Sequence, residues 1–194
     1  MIALLAGSLT AASAAQLQYS VSLDGPSDLT TSPGTGFGMV TYDNVGHTLL
    51  LQVTFSGLVT TGTGVTATHI HAATASPFTG TAGVATVQPV FPGFPTGVRG
   101  VTNYSGTLDL TQTASFNAAF VTANGGTAAS AEAALAAAMA GGKAYWNIHS
   151  STFGGGEIRG FLVAVPEPST LAMLAVGMVG LGGVIRSRRS RLPA

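Results

Sequence analysis

Apolar and polar residues alternate along several short stretches of this chain. Alternation with a period of two marks strands half-buried in a sheet. Leu17 to Leu23 reads Leu, Tyr, Val and Leu against polar partners and ends at Gly25-Pro26. Gly36 to Tyr42 and Thr48 to Phe55 flank Asp43-Asn44-Val45-Gly46, whose residues favour a turn, so the two predict a hairpin. Leu49, Leu51, Val53 and Phe55 fall on one face of the second strand and Leu50, Gln52 and Thr54 on the other, which assigns the first set to the core. Gly80 to Val90 and Tyr104 to Leu110 are further strand candidates, separated by a loop from Phe91 to Val101 that carries Pro92, Pro95 and three glycines.

The chain is organised around Ala144 to Leu162. Tyr145-Trp146-Asn147-Ile148-His149 and Glu157-Ile158-Arg159-Gly160-Phe161-Leu162 have the bulky and alternating character of strands, with Gly154-Gly155-Gly156 between them for the reversal. The pattern is helical at Ala128 to Ala140, AASAEAALAAAMA, stopped by Gly141-Gly142. So short an alanine-rich helix needs docking, assigned to Leu135 and Met139, and it is read as a cover beside the last hairpin with no part in a site. Ser115 to Gly126 leads into it with no assigned structure.

The two ends differ from the middle. Met1 to Ala15 is an apolar, small-residue run closing on Ala12-Ser13-Ala14-Ala15, the h-region and cleavage pattern of a secretory signal without its basic start; cleavage is expected after Ala14 or Ala15. Residues 169–185 are uncharged and at about 1.5 Å per residue can cross a bilayer, so a transmembrane helix is expected there. Arg186, Arg188, Arg189 and Arg191 follow, a stop that stays cytoplasmic by the positive-inside rule.

Only 14 of 194 residues are Asp, Glu, Lys or Arg. Residues 16–165 hold three basic against six acidic side chains, a balance of −3, which leaves nothing basic to hold nucleic acid. The absence of cysteine excludes disulfides and thiolate chemistry. No nucleophile elbow, phosphate loop, His-Glu-x-x-His motif or repeat is present.

The chemistry that remains is histidine. His69 and His71 are alternate residues of one strand, so they share a face with Cβ atoms about 6.6 Å apart, close enough for two imidazoles to meet on one ion; His149 can be the third ligand. The other reading makes the three structural, each neutral ring satisfying a donor and an acceptor and cross-linking two strands. Glu157 and Arg159 are expected to form a structural ion pair, Trp146 to belong to the core, and His47 to be solvated in its turn.

Tyr-Trp-Asn-Ile-His followed by Gly-Gly-Glu-Ile-Arg-Gly, with His69-Ile70-His71 upstream, resembles the CHRD domain over about residues 16–164. That resemblance implies an all-β extracellular domain. Gly57-Leu58 before His-x-His is also distantly similar to copper-zinc superoxide dismutases, which suggests a Greek-key β-sandwich of immunoglobulin or dismutase type with one short helix, and copper or zinc as the ion if one binds. The bridging histidine and long zinc loop of that enzyme are missing, so no enzymatic activity is expected. Residues 165–194, with Pro166-Glu167-Pro168, the apolar run and the arginines, look like a PEP-CTERM sorting signal. It implies exosortase as partner, a transient stay in the inner membrane, and delivery to the cell envelope or exopolysaccharide matrix, with a polysaccharide or an envelope protein as further partner.

Overall fold

The computed structural model describes residues 16–59 and 61–166. The expected signal peptide, the transmembrane helix, Glu167, Pro168 and the four arginines of the tail lie outside these residues. Among the described residues, no helix is long and apolar enough to cross a membrane.

Among the described residues, eight strands form one antiparallel sheet. They are β1 (Leu17–Asp24), β2 (Thr35–Asp43), β3 (Thr48–Ser56), β4 (Val65–His71), β5 (Thr102–Asp109), β6 (Tyr145–Ser150), β7 (Ile158–Phe161) and β8 (Val163–Val165). The order across the sheet is β4-β6-β7-β1-β2-β3-β5, with β8 paired to β1. The first three strands form a meander whose register follows the alternation in the sequence: Leu49, Leu51, Val53 and Phe55 are all buried, while Gln52 and Thr54 are exposed.

The two stacked sheets expected of a Greek-key sandwich are replaced by one sheet that curls. Two features make the curl. The segment β7–β8 joins the halves: β7 pairs with β6 along one side and, through Arg159 opposite Asp24, with β1 on the other, Leu162 is buried at the step, and β8 continues the pairing with β1. The crossing is tight at Gly160, where a Cβ would run into the carbonyl oxygen of Ser22. At the far ends, the loop between β4 and β5 wedges Phe91 and Phe94 into the interior. Phe91 meets Trp146 of β6 edge-on at 5.5 Å and lies 6.3 Å from Tyr104 of β5, while Phe94 stacks on Phe55 of β3. The two edges of the sheet thus share one aromatic core.

Residues 80–90 do not form a strand. In place of a ladder they make isolated bridges, His71 with Val84 and Thr86 with Phe116, because the segment crosses the edge of β4, where the Ile70 N–H donates to Thr86 Oγ1 and the Ile70 carbonyl accepts from the Ala85 N–H. Ser115 to Gly126 contains a one-and-a-half-turn helix, α1 (Ala118–Ala123), capped by the Asn117 side chain. The alanine-rich segment is helix α2 (Ala128–Ala140), with a capping box between Thr127 and Ser130, and Leu135 and Met139 are buried as its spacing requires.

The docking of α2 has a polar component that the alternation pattern did not show. Glu132 is buried and accepts a hydrogen bond from the Tyr42 hydroxyl at 2.9 Å; its other oxygen lies 2.9 Å from His47 Nδ1. His47 is therefore not merely a solvated turn residue. It pins the β2–β3 turn to the helix.

Candidate metal centre

Strand β6 is buried at every position, which an ordinary half-exposed strand is not. Trp146 and Ile148 enter the apolar core. Tyr145, Asn147 and His149 point to the opposite face, as do His69 and His71 of the neighbouring β4, where His69 pairs with Asn147 and His71 with Tyr145. This second face is roofed by three loops: the 3-10 turn at Pro26–Asp28, the segment after β4 through Ala82, and the β6–β7 turn at Phe153–Gly156. A polar layer is thereby sealed between the sheet and its loops.

Within it the three histidines converge. They are 5, 9 and 7 % exposed for His69, His71 and His149. The ring of His69 lies 4.7 Å from that of His71 and 4.6 Å from that of His149, and one nitrogen from each ring falls within 4.8 Å of the other two. Among the described residues, no Asp or Glu joins this group.

The hydrogen bonds decide which nitrogens are free. His71 Nδ1 is 2.9 Å from the Ala82 carbonyl and His149 Nδ1 is 3.0 Å from the Gly154 carbonyl. A carbonyl only accepts, so both Nδ1 atoms carry the proton and both Nε2 atoms carry a lone pair. Those two Nε2 atoms, and Nδ1 of His69, are buried with no hydrogen-bond partner. Burial holds all three rings below the ordinary histidine pKa, His69 at about 3, where the neighbouring His149 and His71 add to the effect. For His71 and His149 the carbonyl contacts offset part of the lowering. The rings are neutral at physiological pH, the form that ligates metals.

Around this triad sits a supporting layer. The ring of Tyr145 stacks on His71, and its hydroxyl shares the Ala82 carbonyl at 3.3 Å. The Arg159 guanidinium lies 5.0 Å above the Tyr145 ring, donates to the carbonyls of Ser27 and Gly80, and faces Asp28 at 3.5 Å. Burial raises the pKa of Asp28 against the opposing pull of Arg159. Ring nitrogens bonded to fixed carbonyls, with the coordinating side left bare, form the arrangement that orients histidine ligands in metal sites.

The expected Glu157–Arg159 pair does not form. The carboxylate partner of Arg159 is Asp28, whereas Glu157, fully buried, accepts from Ser32 Oγ at 2.7 Å and from the Val59 N–H at 2.6 Å. The two-residue rule applies within a strand, and Glu157 precedes β7, where the chain is still leaving its turn. Asp28, Tyr145 and the carbonyls of Ala82 and Gly154 were missed as site members. Asp28 follows a Gly-Pro break with no pattern of its own, and carbonyls leave no trace in a sequence.

The description CHRD domain matches residues 17–162, from the first residue of β1 to the buried step between β7 and β8. The description PEP-CTERM protein-sorting motif matches residues 164–189, and it marks an exported protein processed at the membrane by exosortase. Comparison with curated proteins and with solved structures returned no match. The curled sheet, its sealed histidine layer and the sorting motif that follows it therefore belong to a member of the CHRD domain family.

Proposed function

We propose that this exported domain is a metal-binding module that holds one copper or zinc ion between His69, His71 and His149. One observation carries the reading: each of the three converging imidazoles has a buried nitrogen with no hydrogen-bond partner, and one nitrogen from each ring lies within 4.8 Å of the other two. An unsatisfied buried polar atom costs about 1–3 kcal/mol, and three such nitrogens in one place are an arrangement that a shared cation relieves. All-imidazole donors suit copper and zinc better than magnesium or calcium. The role is binding without catalysis. After exosortase has acted, the domain would reside in the cell envelope or exopolysaccharide matrix, with a polysaccharide or an envelope protein beside it.

Calorimetric titration of the folded, metal-stripped protein with copper and with zinc tests this. One ion per chain is expected for wild type, with His69→Ala and His149→Ala each losing most of the affinity. Absence of any heat from either metal, with the fold intact by circular dichroism, would leave the histidines as a strand cross-link and end the proposal.

A further inference from the structure

The domain and its sorting motif meet inside a strand. The domain match ends at Leu162 and the sorting match begins at Ala164, the middle residue of β8. The structure changes character at the same step. Leu162 is completely buried, and its N–H donates to the Ala144 carbonyl; Val163 and Val165 are 48 and 36 % exposed, and Ala164 and Pro166 are exposed as well. β8 is held along one side only, by the pairs Ser20 with Val163, Tyr19 with Ala164 and Gln18 with Val165. It buries no side chain in the core.

An extended peptide can be captured as an added strand, held largely through its backbone hydrogen bonds. With β8 in place, Pro166 alone separates the folded sheet from Glu167, the centre of the Pro-Glu-Pro motif. The backbone upstream of the motif is then engaged by β1 and cannot be engaged by a second partner on that side. We infer that exosortase takes hold of this chain by peeling β8 from β1, so that Val163–Pro166 becomes its docking strand and the buried Leu162 marks where the peeling stops. The strand suits this use: short, hydrogen-bonded on one side, already extended, and with no side chain in the core, so that its release breaks its ladder with β1 and its packing beside α2 and leaves the other strand pairings in place.

Because the chain contains no cysteine, one pair of introduced thiols can lock β8 without ambiguity. Ser20 and Val163 are register partners, and cysteines across an antiparallel pair lie within disulfide reach. Full-length Ser20→Cys/Val163→Cys protein is oxidised and then incubated with membranes carrying exosortase, and tail loss is followed by mass. The oxidised protein should keep its tail, with processing at least tenfold slower than wild type. Dithiothreitol should restore the wild-type rate, which also shows that the substitutions leave the fold and the motif usable. A second variant repeats Val163-Ala164-Val165 between Val165 and Pro166 in the locked protein; the free copy should rescue processing in the oxidised state. Wild-type processing of the oxidised pair, or no rescue by the repeated segment, would overturn the inference.

Discussion

The imidazole of His71 lies flat on the phenol ring of Tyr145, the planes 5° apart and the centroids separated by 4.6 Å. The two are cross-strand register partners, and both reach the carbonyl of Ala82. The stack therefore sets the orientation of the ring while the carbonyl sets its tautomer. Replacing Tyr145 by Leu should weaken copper or zinc binding by about 10-fold or more, the usual cost of losing a residue that positions a metal ligand. Tyr145→Phe, which keeps the stack and loses only the hydroxyl, should stay within a few-fold of wild type in the same titration. Equal losses in the two variants would point to the hydroxyl and not the stack.

Stability should depend on pH through the histidine layer. A folded pKa below the unfolded value means that the unfolded chain binds more protons, so stability rises with pH in the window between the two. For His69 that window runs from about 3 in the folded protein to the ordinary 6.5, and His71 and His149 act in the same direction. Asp28, with its raised pKa, opposes them only near the carboxylate range. The urea midpoint of the metal-free protein should therefore fall as pH is lowered from 7 to 5. His69→Ala should flatten this slope in urea melts at matched pH; an unchanged slope would show that the ring is not buried as a neutral group.

Helix α2 is anchored by a carboxylate. Removing it in Glu132→Ala leaves the Tyr42 hydroxyl buried without its acceptor and frees His47, so a loss of about 1–3 kcal/mol is expected in denaturant melts. Glu132→Gln retains an acceptor for the hydroxyl and should cost less. If Glu132→Ala melted like wild type, the anchoring would rest on Leu135 and Met139 alone.

Gly160 stands where β7 crosses β1, and the obstacle to any side chain there is backbone, the Ser22 carbonyl, which cannot step aside as a flexible side chain could. Gly160→Ala should cost at least about 3 kcal/mol or abolish folding, well beyond the usual effect of a single substitution. Gly154→Ala, in a turn where a Cβ meets nothing within 4 Å, is the matched control and should be close to neutral. Soluble expression and melting temperature separate the two.

Much of this architecture was legible from local pattern. Alternation places the β1–β3 meander and its core face correctly because each side chain of a half-buried strand reports its own side of the sheet. The β6–β7 hairpin, helix α2 and its two apolar anchors, and the shared face of His69 and His71 follow from the same short-range rules. The sorting motif was readable too, since it is a linear signal of order and spacing.

Tertiary structure decided what depends on residues distant in sequence. Whether the sheet stacks or curls is settled by the β7–β8 segment, which joins β6 to β1, and by Phe91 bridging Trp146 and Tyr104, contacts that no periodicity encodes. The partner of Arg159 is Asp28, 131 positions away, and not the Glu157 that precedes it by two. Sequence alone put His69 and His71 on one face and offered His149 as a third ligand; the pairing of β4 with β6 is what sets His149 beside them. Which nitrogen of His71 and of His149 is bare was decided by two loop carbonyls, at Ala82 and Gly154, because a hydrogen-bond acceptor on the backbone is the same in every residue and only the fold says where it points.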